Sequence, residues 1–434
     1  MRPGFRLLAL LALASMAGAP SCGEPAAEEA RGPNVLLISV DTLRADHLSF
    51  HGYGRATSPR LDAFAAQSTV FEEARSSASW TLPGLASILT SRFSSGHGCW
   101  TSESSLSAEV PTLAELFRDA GYDTACVVSH IFLTGRYGLQ RGFVHFDDEL
   151  DFPAVHPHET RSSPRVTERG VAWLEQKALA PDGHPWLLWL HYFDPHDTYL
   201  AHEEAPGFGG EHEVDLYDGE IRYTDAHLGR VLEALERTGL AGETVVVLTA
   251  DHGEEFRDHG GLRHGKTLYR EQLHVPLVLR APGFAPLRVP ELVRTVDVLP
   301  TLLELCGLAP PAGLEGRSLV PHMRGEATDE RPALAELRLR DGHHFDAVVS
   351  GGWKLIVDVE DGEPQLYDLA GDPGEQRDLA DERPEEVRRL RVLLEGLVSD
   401  SRALAPAEGS SRVHLSPEDL EVLEDLGYVG EEEE

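Results

Sequence analysis

Three apolar runs in this chain each finish in a cluster of aspartate and histidine: "NVLLISVD" at 34–41, "HPWLLWLHYFDPH" at 184–196 and "ETVVVLTADHGEEF" at 243–256. Short, β-branched, apolar runs of this kind read as strands buried on both faces. Helical stretches lie between them. "PTLAELFRDAGYDTACVVS" gives an amphipathic helix, a stop at Gly121 and a strand, and "DLYDGEIRYTDAHLGRVLEALERTGL" gives a helix ending at Gly239. "HVPLVLRAPG" adds a further short strand. Strands alternating with helices imply an α/β fold with a mostly parallel sheet, covered on both sides. In such sheets ligands sit beyond the carboxyl ends of the strands, so Asp41, the segment from His191 to His196, and Asp251 with His252 should converge on one edge.

From about residue 330 the pattern changes to antiparallel-type strands with a turn at "EDGE" and a helix starting near Pro384, which predicts a small α+β domain. Beyond it, "LSPEDLEVLEDLGYVGEEEE" gives a short capped helix and a solvated acidic tail. No internal repeat is visible.

The 434 residues carry 73 acidic and 38 basic side chains, a formal charge of −35. That balance argues against nucleic acid as a partner, because phosphates need a basic footprint. An anionic substrate would have to be attracted locally, by a metal ion or a few cationic groups. At the N-terminus, Arg2 and Arg6 precede the apolar run Leu7 to Ala19 and then small residues, the layout of a secretory signal peptide. The run is shorter than the about 20 residues that a membrane span requires. Cys22 stands where a bacterial lipoprotein carries its lipid, so membrane attachment through Cys22 and simple cleavage are the two alternatives, and "GEPAAEEARGP" reads as a tether. Both readings place the protein outside the cytoplasm, in the periplasm, on the membrane as a lipoprotein, or extracellular. The other cysteines, Cys99, Cys126 and Cys306, do not define a disulfide framework, and Cys126 and Cys306 read as buried thiols.

The chemistry-bearing segment is "SSASWTLPGLASILTSRFSSGHG", residues 76–98. Thr81 reads as a helix N-cap with Pro83 in the first turn. A hydroxyl there lies in the positive end of the helix dipole, where a tetrahedral anion also binds, and a divalent ion beside it would make it a nucleophile. Asp251 and His252, adjacent after a strand, suit Zn²⁺, Mn²⁺ or another divalent cation, and Asp41 adds a carboxylate. His97, His191, His196, His252, His259 and His264 cluster in Gly-rich or Asp-rich turns; "DPHDTY" and "LRHGKTLY" are the two settings best suited to an anion or a leaving group. Lys266 and Arg44 are alternative cations.

Seven segments in order, "NVLLISVDTLRADHLSFHGYGRATSPRLDAFA", "SWTLPGLASILTSRF", "HYFDPHDTY", "LTADHGEEF", "LYREQLHVPLVLRAPG", "RTVDVLPTLLELCG" and "GGWKLIVDVEDGEPQLYDLAGDPGEQRDLAD", resemble the sulfatase family of the alkaline phosphatase superfamily. The resemblance implies an alkaline-phosphatase-like sandwich with a small C-terminal α+β domain: leader 1–22, linker 23–32, catalytic domain 33–328, C-terminal subdomain 329–402, and helix with acidic tail 403–434. It implies a divalent metal (Ca, Mn, Zn or Mg) held by Asp41, Thr81, Asp251 and His252. Thr81 becomes the nucleophile, His97 and His196 substrate contacts, and His196 and His264 groups near the leaving oxygen. A second metal at Asp194, His196 and His264 is an alternative.

This chain also departs from the family pattern. Thr42 takes the second place of an Asp-Asp pair, His252 replaces a common asparagine, and Leu85 replaces the signature arginine. Formylglycine is made from cysteine or serine, so Thr81 is not converted, and a plain alkoxide nucleophile is the expectation. The implied function is a metal-dependent hydrolase of sulfate, phosphate or phosphonate esters on a small-molecule, glycan or lipid alcohol, with phosphorus esters ranked ahead on the nucleophile alone. The alternatives are a phospho-head-group transferase and an inactive anionic-glycan binding protein.

Overall fold

The computed structural model describes Met1 and residues 32–149, 162–180, 183–202, 208, 210, 212–339, 342–407 and 409–425. The expected signal peptide beyond Met1, Cys22, most of the expected linker, and the acidic tail lie outside the described residues. Among the described residues no helix is long and apolar enough to cross a membrane.

The central sheet has eight strands: β1 (Asn34–Val40), β2 (Thr69–Arg75), β3 (Asp123–Val127), β4 (His145–Asp147), β5 (Trp186–Tyr192), β6 (Thr244–Ala250), β7 (Leu277–Arg280) and β8 (Leu287–Arg294). Their order is β8-β2-β7-β6-β1-β5-β3-β4. β1 sits between β5 and β6, parallel to both, and β3 extends the parallel set beyond β5. Within the sheet only β7 runs against its neighbours. The mostly parallel sheet expected from the strand–helix alternation is therefore present, with one reversed strand at "LVLR".

Both faces are buried, and β1 shows how the sequence achieves this. Val35 and Leu37 join one apolar cluster, whereas Leu36, Ile38 and Val40 join the other. This is the period of two that sends successive side chains to opposite faces. The first face is covered by α2 (Thr81–Thr90), α4 (Leu113–Asp119) and α7 (Val298–Leu305), and the second by α1 (Pro59–Ala65), α5 (Ser163–Leu179) and α6 (Glu213–Arg237). α3 (Ser94–His97) follows α2 directly.

The described residues from 32 to 425 form one compact unit. Within it a second sheet is purely antiparallel, in the order β9 (Ala333–Arg338), β10 (His344–Ser350), β11 (Trp353–Asp358), β12 (Pro364–Asp368). It packs on α8 (Pro384–Arg402) through Leu334, Val348, Leu355, Leu390 and Leu394. Lys354 of β11 is buried and ion-paired at 2.6 Å to Glu375, whose carboxylate also accepts from the backbone N–H of Arg270 at 3.0 Å. That pair ties the small sheet to the loop after β6. Cys99, Cys126 and Cys306 are buried free thiols.

Candidate active site

The carboxyl ends of β1, β3, β5 and β6 bring together residues that lie more than two hundred positions apart. Asp41 leaves β1 with its backbone N–H bonded to Tyr192 O at 2.9 Å. Thr42, next in the chain, has a positive φ of 52°. That left-handed conformation is uncommon for a β-branched residue and re-aims the chain as it leaves the strand. Asp251 and His252 leave β6 on the adjacent edge. The His252 amide donates to Asp251 Oδ1 at 2.9 Å, and the Ser76 hydroxyl bonds the Asp251 carbonyl.

The Asp41 carboxylate is the centre. His252 Nε2 lies 3.4 Å from Oδ1, and His191 Nε2 and His130 Nε2 lie 3.5 Å and 3.6 Å from Oδ2. His252 Nε2 is also 3.6 Å from Asp251 Oδ2 and 3.3 Å from Thr81 Oγ1. Asp41, Thr81, His130, His191, Asp251 and His252 are all fully enclosed. The tautomers follow from the far side of the rings. His252 Nδ1 faces the Gly253 carbonyl at 2.9 Å and must donate there, leaving Nε2 as a lone pair aimed at the centre. His191 Nδ1 is held at 2.8 Å by Ser39 Oγ, itself fixed by the Trp189 indole N–H at 2.8 Å.

Nothing aligned satisfies the inward atoms. Neither oxygen of Asp41, nor Asp251 Oδ2, nor His191 Nε2 has a well-aligned hydrogen-bond partner, although each is buried. Burial pushes the Asp41 carboxyl well above the ordinary range, and burial and then Asp41 do the same to Asp251. Burial holds His130, His191 and His252 below the ordinary imidazole value, so they are neutral. Ligand atoms of Asp41, His191 and Asp251 lie within 4.8 Å of one another. Two buried carboxylates with bare inward atoms and neutral imidazoles form a donor set that fits a divalent cation, which removes the cost of the uncompensated charge.

A second tier lies beside this centre. The His264 ring is 4.5 Å from that of His252 and 4.8 Å from that of His196, centroid to centroid. His264 Nδ1 faces Glu254 Oε1 at 2.9 Å, and the Tyr199 hydroxyl donates to Glu254 Oε2 at 2.9 Å. Burial lowers the His264 pKa, but Glu254 and the more distant Asp41 outweigh it, and the ring titrates above the ordinary value. His196 stacks on Phe193 with its Nδ1 at 2.6 Å from the Asp197 carbonyl.

The structure thus brings Asp41, Thr81, Asp251, His252, His264 and His196 into one neighbourhood. It revises other expectations. Thr81 is the first helical residue of α2, and the N-cap is Trp80. His97 does not join the site: its Nδ1 accepts from the Cys99 amide at 3.1 Å, its Nε2 bonds Ser87 Oγ at 3.0 Å, and burial lowers its pKa to about 3. A neutral ring with both nitrogens engaged under α2 has no group to offer an anion. Asp194 accepts from the Ser162 and Ser163 amides at the start of α5, so it serves that helix, and the alternative second metal at Asp194, His196 and His264 loses its carboxylate. Arg44 is spent on Asp46, Asp258 and the Glu254 carbonyl. Leu85 lies in the apolar core. Sequence reasoning singled out neither His130 nor Glu254, and it placed His191 at this edge and in the histidine cluster without making it a metal ligand. A histidine inside the apolar run "WLLWLHY" was the available signal for His191.

Residues 33–308 match the family described as Sulfatase, and residues 258–399 match the region described as N-sulphoglucosamine sulphohydrolase, C-terminal. The chain belongs to the sulfatase family. This sulfatase is 25% identical to arylsulfatase K of Rattus norvegicus, over 90% of this chain and 82% of that protein. Among solved structures, a 2-O GAG sulfatase shares its fold with a TM-score of 0.74 at 22% identity, covering 86% of this chain and 93% of that one. The phosphonate monoester hydrolase of Agrobacterium radiobacter gives 0.70 at 22% identity, covering 88% and 100%. Membership in the family makes the protein a hydrolase of sulfate ester bonds, which moves sulfate ahead of the phosphorus esters that the nucleophile alone favoured.

Proposed function

We propose that this sulfatase cleaves sulfate esters of glycan-type alcohols by transferring the sulfuryl group to Thr81. The observation that carries the reading is the placement of Thr81 Oγ1, 3.3 Å from His252 Nε2, beside the buried acids Asp41 and Asp251. Asp41, Asp251, His252 and His191 would hold a divalent cation, with Thr81 as the hydroxyl beside it. When bound, such an ion lowers the pKa of the neighbouring alcohol and neutralises the charge of the transferring group.

The residues themselves then do the following. Thr81 Oγ1, its proton lost to solvent, forms a bond to sulfur as the bond from sulfur to the alcohol oxygen breaks. His264, with Nδ1 pinned by Glu254, donates its Nε2 proton to that departing oxygen. In the second half the now neutral His264 accepts a proton from water, the water oxygen bonds to sulfur, and Thr81 Oγ1 leaves. The hydrogensulfate so formed passes its remaining proton to Thr81 Oγ1 and leaves as sulfate, which restores the hydroxyl. A threonine cannot become an aldehyde hydrate, so the intermediate is an ordinary sulfate ester of the side chain, and the second attack takes place at sulfur.

A second reading, hydrolysis of phosphonate or phosphate esters, draws support from the same alcohol nucleophile and from the fold shared with a phosphonate monoester hydrolase. Initial rates on matched nitrophenyl sulfate, phosphate monoester, phosphate diester and phosphonate, with Mn²⁺, Zn²⁺, Mg²⁺ or Ca²⁺ added and Thr81→Ala in parallel, separate the two. Sulfate turnover that falls by about four orders of magnitude or more in Thr81→Ala supports the proposal. Phosphorus-only turnover transfers the mechanism to the second reading, and undiminished turnover in Thr81→Ala refutes a threonine nucleophile. The leader points to export, with Cys22 as the lipid-bearing residue; the mass of the mature N-terminal peptide tests both.

A further inference from the structure

A second cluster of metal-ligating side chains, sharing no residue with the candidate active site, lies on the small antiparallel sheet. Glu336 of β9 and Asp346 of β10 are direct cross-strand partners, and His344 precedes Asp346 by two residues on the same face. Like charges placed opposite each other on a sheet are destabilising, and more so out of water. Here all three side chains are more than nine-tenths buried. Glu336 accepts from the Ser95 amide at 2.8 Å on one oxygen and from the Ser95 hydroxyl on the other, the acceptor pattern of an ionised carboxylate. Yet burial, reinforced by Asp346, pushes its pKa up to about 7.

Opposing charge comes from His344 and, at longer range, from Arg338. His344 Nε2 lies 2.8 Å from Asp346 Oδ1, but the two are not aligned as a hydrogen bond, and both atoms are otherwise unsatisfied. Arg338, the neighbouring cation, has its guanidinium 3.7 Å over the Trp100 ring. With His344 protonated the trio still carries one net negative charge; with His344 neutral it carries two, which one divalent cation cancels. One ligand atom from each residue lies within 4.8 Å of the others, whereas an ion with bonds of about 2.1 Å spaces its ligands about 3–4 Å apart, a small inward adjustment.

We propose that Glu336, His344 and Asp346 form a second divalent-cation site that fastens β9 and β10 to Ser95 at the start of α3. One imidazole and two carboxylates suit Zn²⁺ or Mn²⁺ better than Ca²⁺, which collects six to eight oxygens. The site is independent of the reading of Thr81, and the two can fail separately.

The test counts metal on the full chain after chelation and re-equilibration with Zn²⁺ or with Mn²⁺, using elemental analysis per chain. The double variant D41N/D251N, which disables the first site, should retain about one equivalent, and adding His344→Ala should remove it. No metal on D41N/D251N, or an undiminished equivalent after His344→Ala, overturns the site. If His344→Ala does not fold by circular dichroism, Asp346→Asn replaces it. Independently, Co²⁺ in D41N/D251N should give a ligand-field spectrum with nitrogen coordination, and its absence also overturns the proposal.

Discussion

Gly84 offers a way to move Thr81, the proposed nucleophile, without touching it. It lies one helical turn after Thr81, and its amide closes the first turn of α2 by donating to the Trp80 carbonyl at 3.2 Å. A Cβ at this position would stand 2.8 Å from the Asp251 carbonyl oxygen and 3.3 Å from the Asp251 carbonyl carbon and Cβ. Ordinary contact distances therefore require about half an ångström of separation between α2 and the end of β6. Neither side yields easily, because every residue of α2 is buried and the Asp251 carbonyl is held by Ser76. Overpacking of this kind costs about 1–3 kcal/mol, and the helix propensity of alanine returns about 1 kcal/mol. The net loss of stability should be at most about 2 kcal/mol, a few degrees in a domain of this size. The displacement falls on the Thr81–His252 contact. A misplacement of about 1 Å costs on the order of a hundredfold, so Gly84→Ala should lose about tenfold in kcat with a smaller change in KM. Steady-state kinetics and a thermal melt check this, with Gly396→Ala as the control. Gly396 lies inside α8 with nothing near its missing Cβ, so its substitution should stabilise by up to about 1 kcal/mol at full activity. A Gly84→Ala enzyme within twofold of the parent would refute the claim that the close approach of α2 to Asp251 sets the nucleophile.

His97→Ala should lower stability by about 1–3 kcal/mol, because it leaves Ser87 and the Cys99 amide unpaired, and should leave KM unchanged; a KM that rises tenfold would return His97 to the substrate site. Stripping divalent metal should abolish turnover and lower the melting temperature. The stabilisation regained on adding ion at a hundred times its Kd is about 2.7 kcal/mol, read by scanning fluorimetry, and no shift in melting temperature would argue against a cation at Asp41. Glu73 carries the acid-side prediction. Burial would raise its pKa, but Arg75 and the two-pronged Arg270 guanidinium at 2.9 Å and 3.0 Å hold it down at about 2. A carboxylate depressed in the folded state contributes stability above its unfolded pKa of 4.5 and loses it as pH falls toward 2. The difference between parent and Glu73→Gln, about 1 kcal/mol given the partial exposure of the pair, should be present at pH 6 and shrink toward pH 3; a constant difference refutes the pairing.

What could be read from the chain follows the range of the interactions involved. β1, β5 and β6 were legible because an apolar run of seven residues needs no partner to declare itself, and the charges at their ends named Asp41, Asp251 and His252. The reversal of β7 was not legible, since "LVLR" reads the same in either direction. His130 escaped because its place in the site depends on β3 lying beside β5, a pairing across about sixty residues that no local pattern encodes. His97 misled for the opposite reason. Its Gly-rich setting resembles that of a ligand, and only the packing of α2 shows that its nitrogens serve Ser87 and Cys99. Glu254 lay in plain view in "DHGEEF", but its role depends on His264, ten residues away, folding back on it.

The loss of arginine at position 85 changes how the site handles charge. The chain as a whole repels anions, with a formal charge of −35, and Leu85 contributes only to the apolar core. The fixed cations nearby are already committed: Arg44 to Asp46 and Asp258, and Arg263 to Asp197 at 3.0 Å. Three of the imidazoles around Asp41 are held neutral by burial, which leaves His264 as the imidazole at the centre that burial does not discharge. A divalent ion at Asp41 and the His264 ring are then two sources of attraction for the substrate anion. An ion held there would both activate Thr81 and attract the anion, so a ligand variant such as Asp251→Asn should raise KM and lower kcat together. A variant at His264, which in the proposed mechanism donates to the departing oxygen, should act chiefly on kcat.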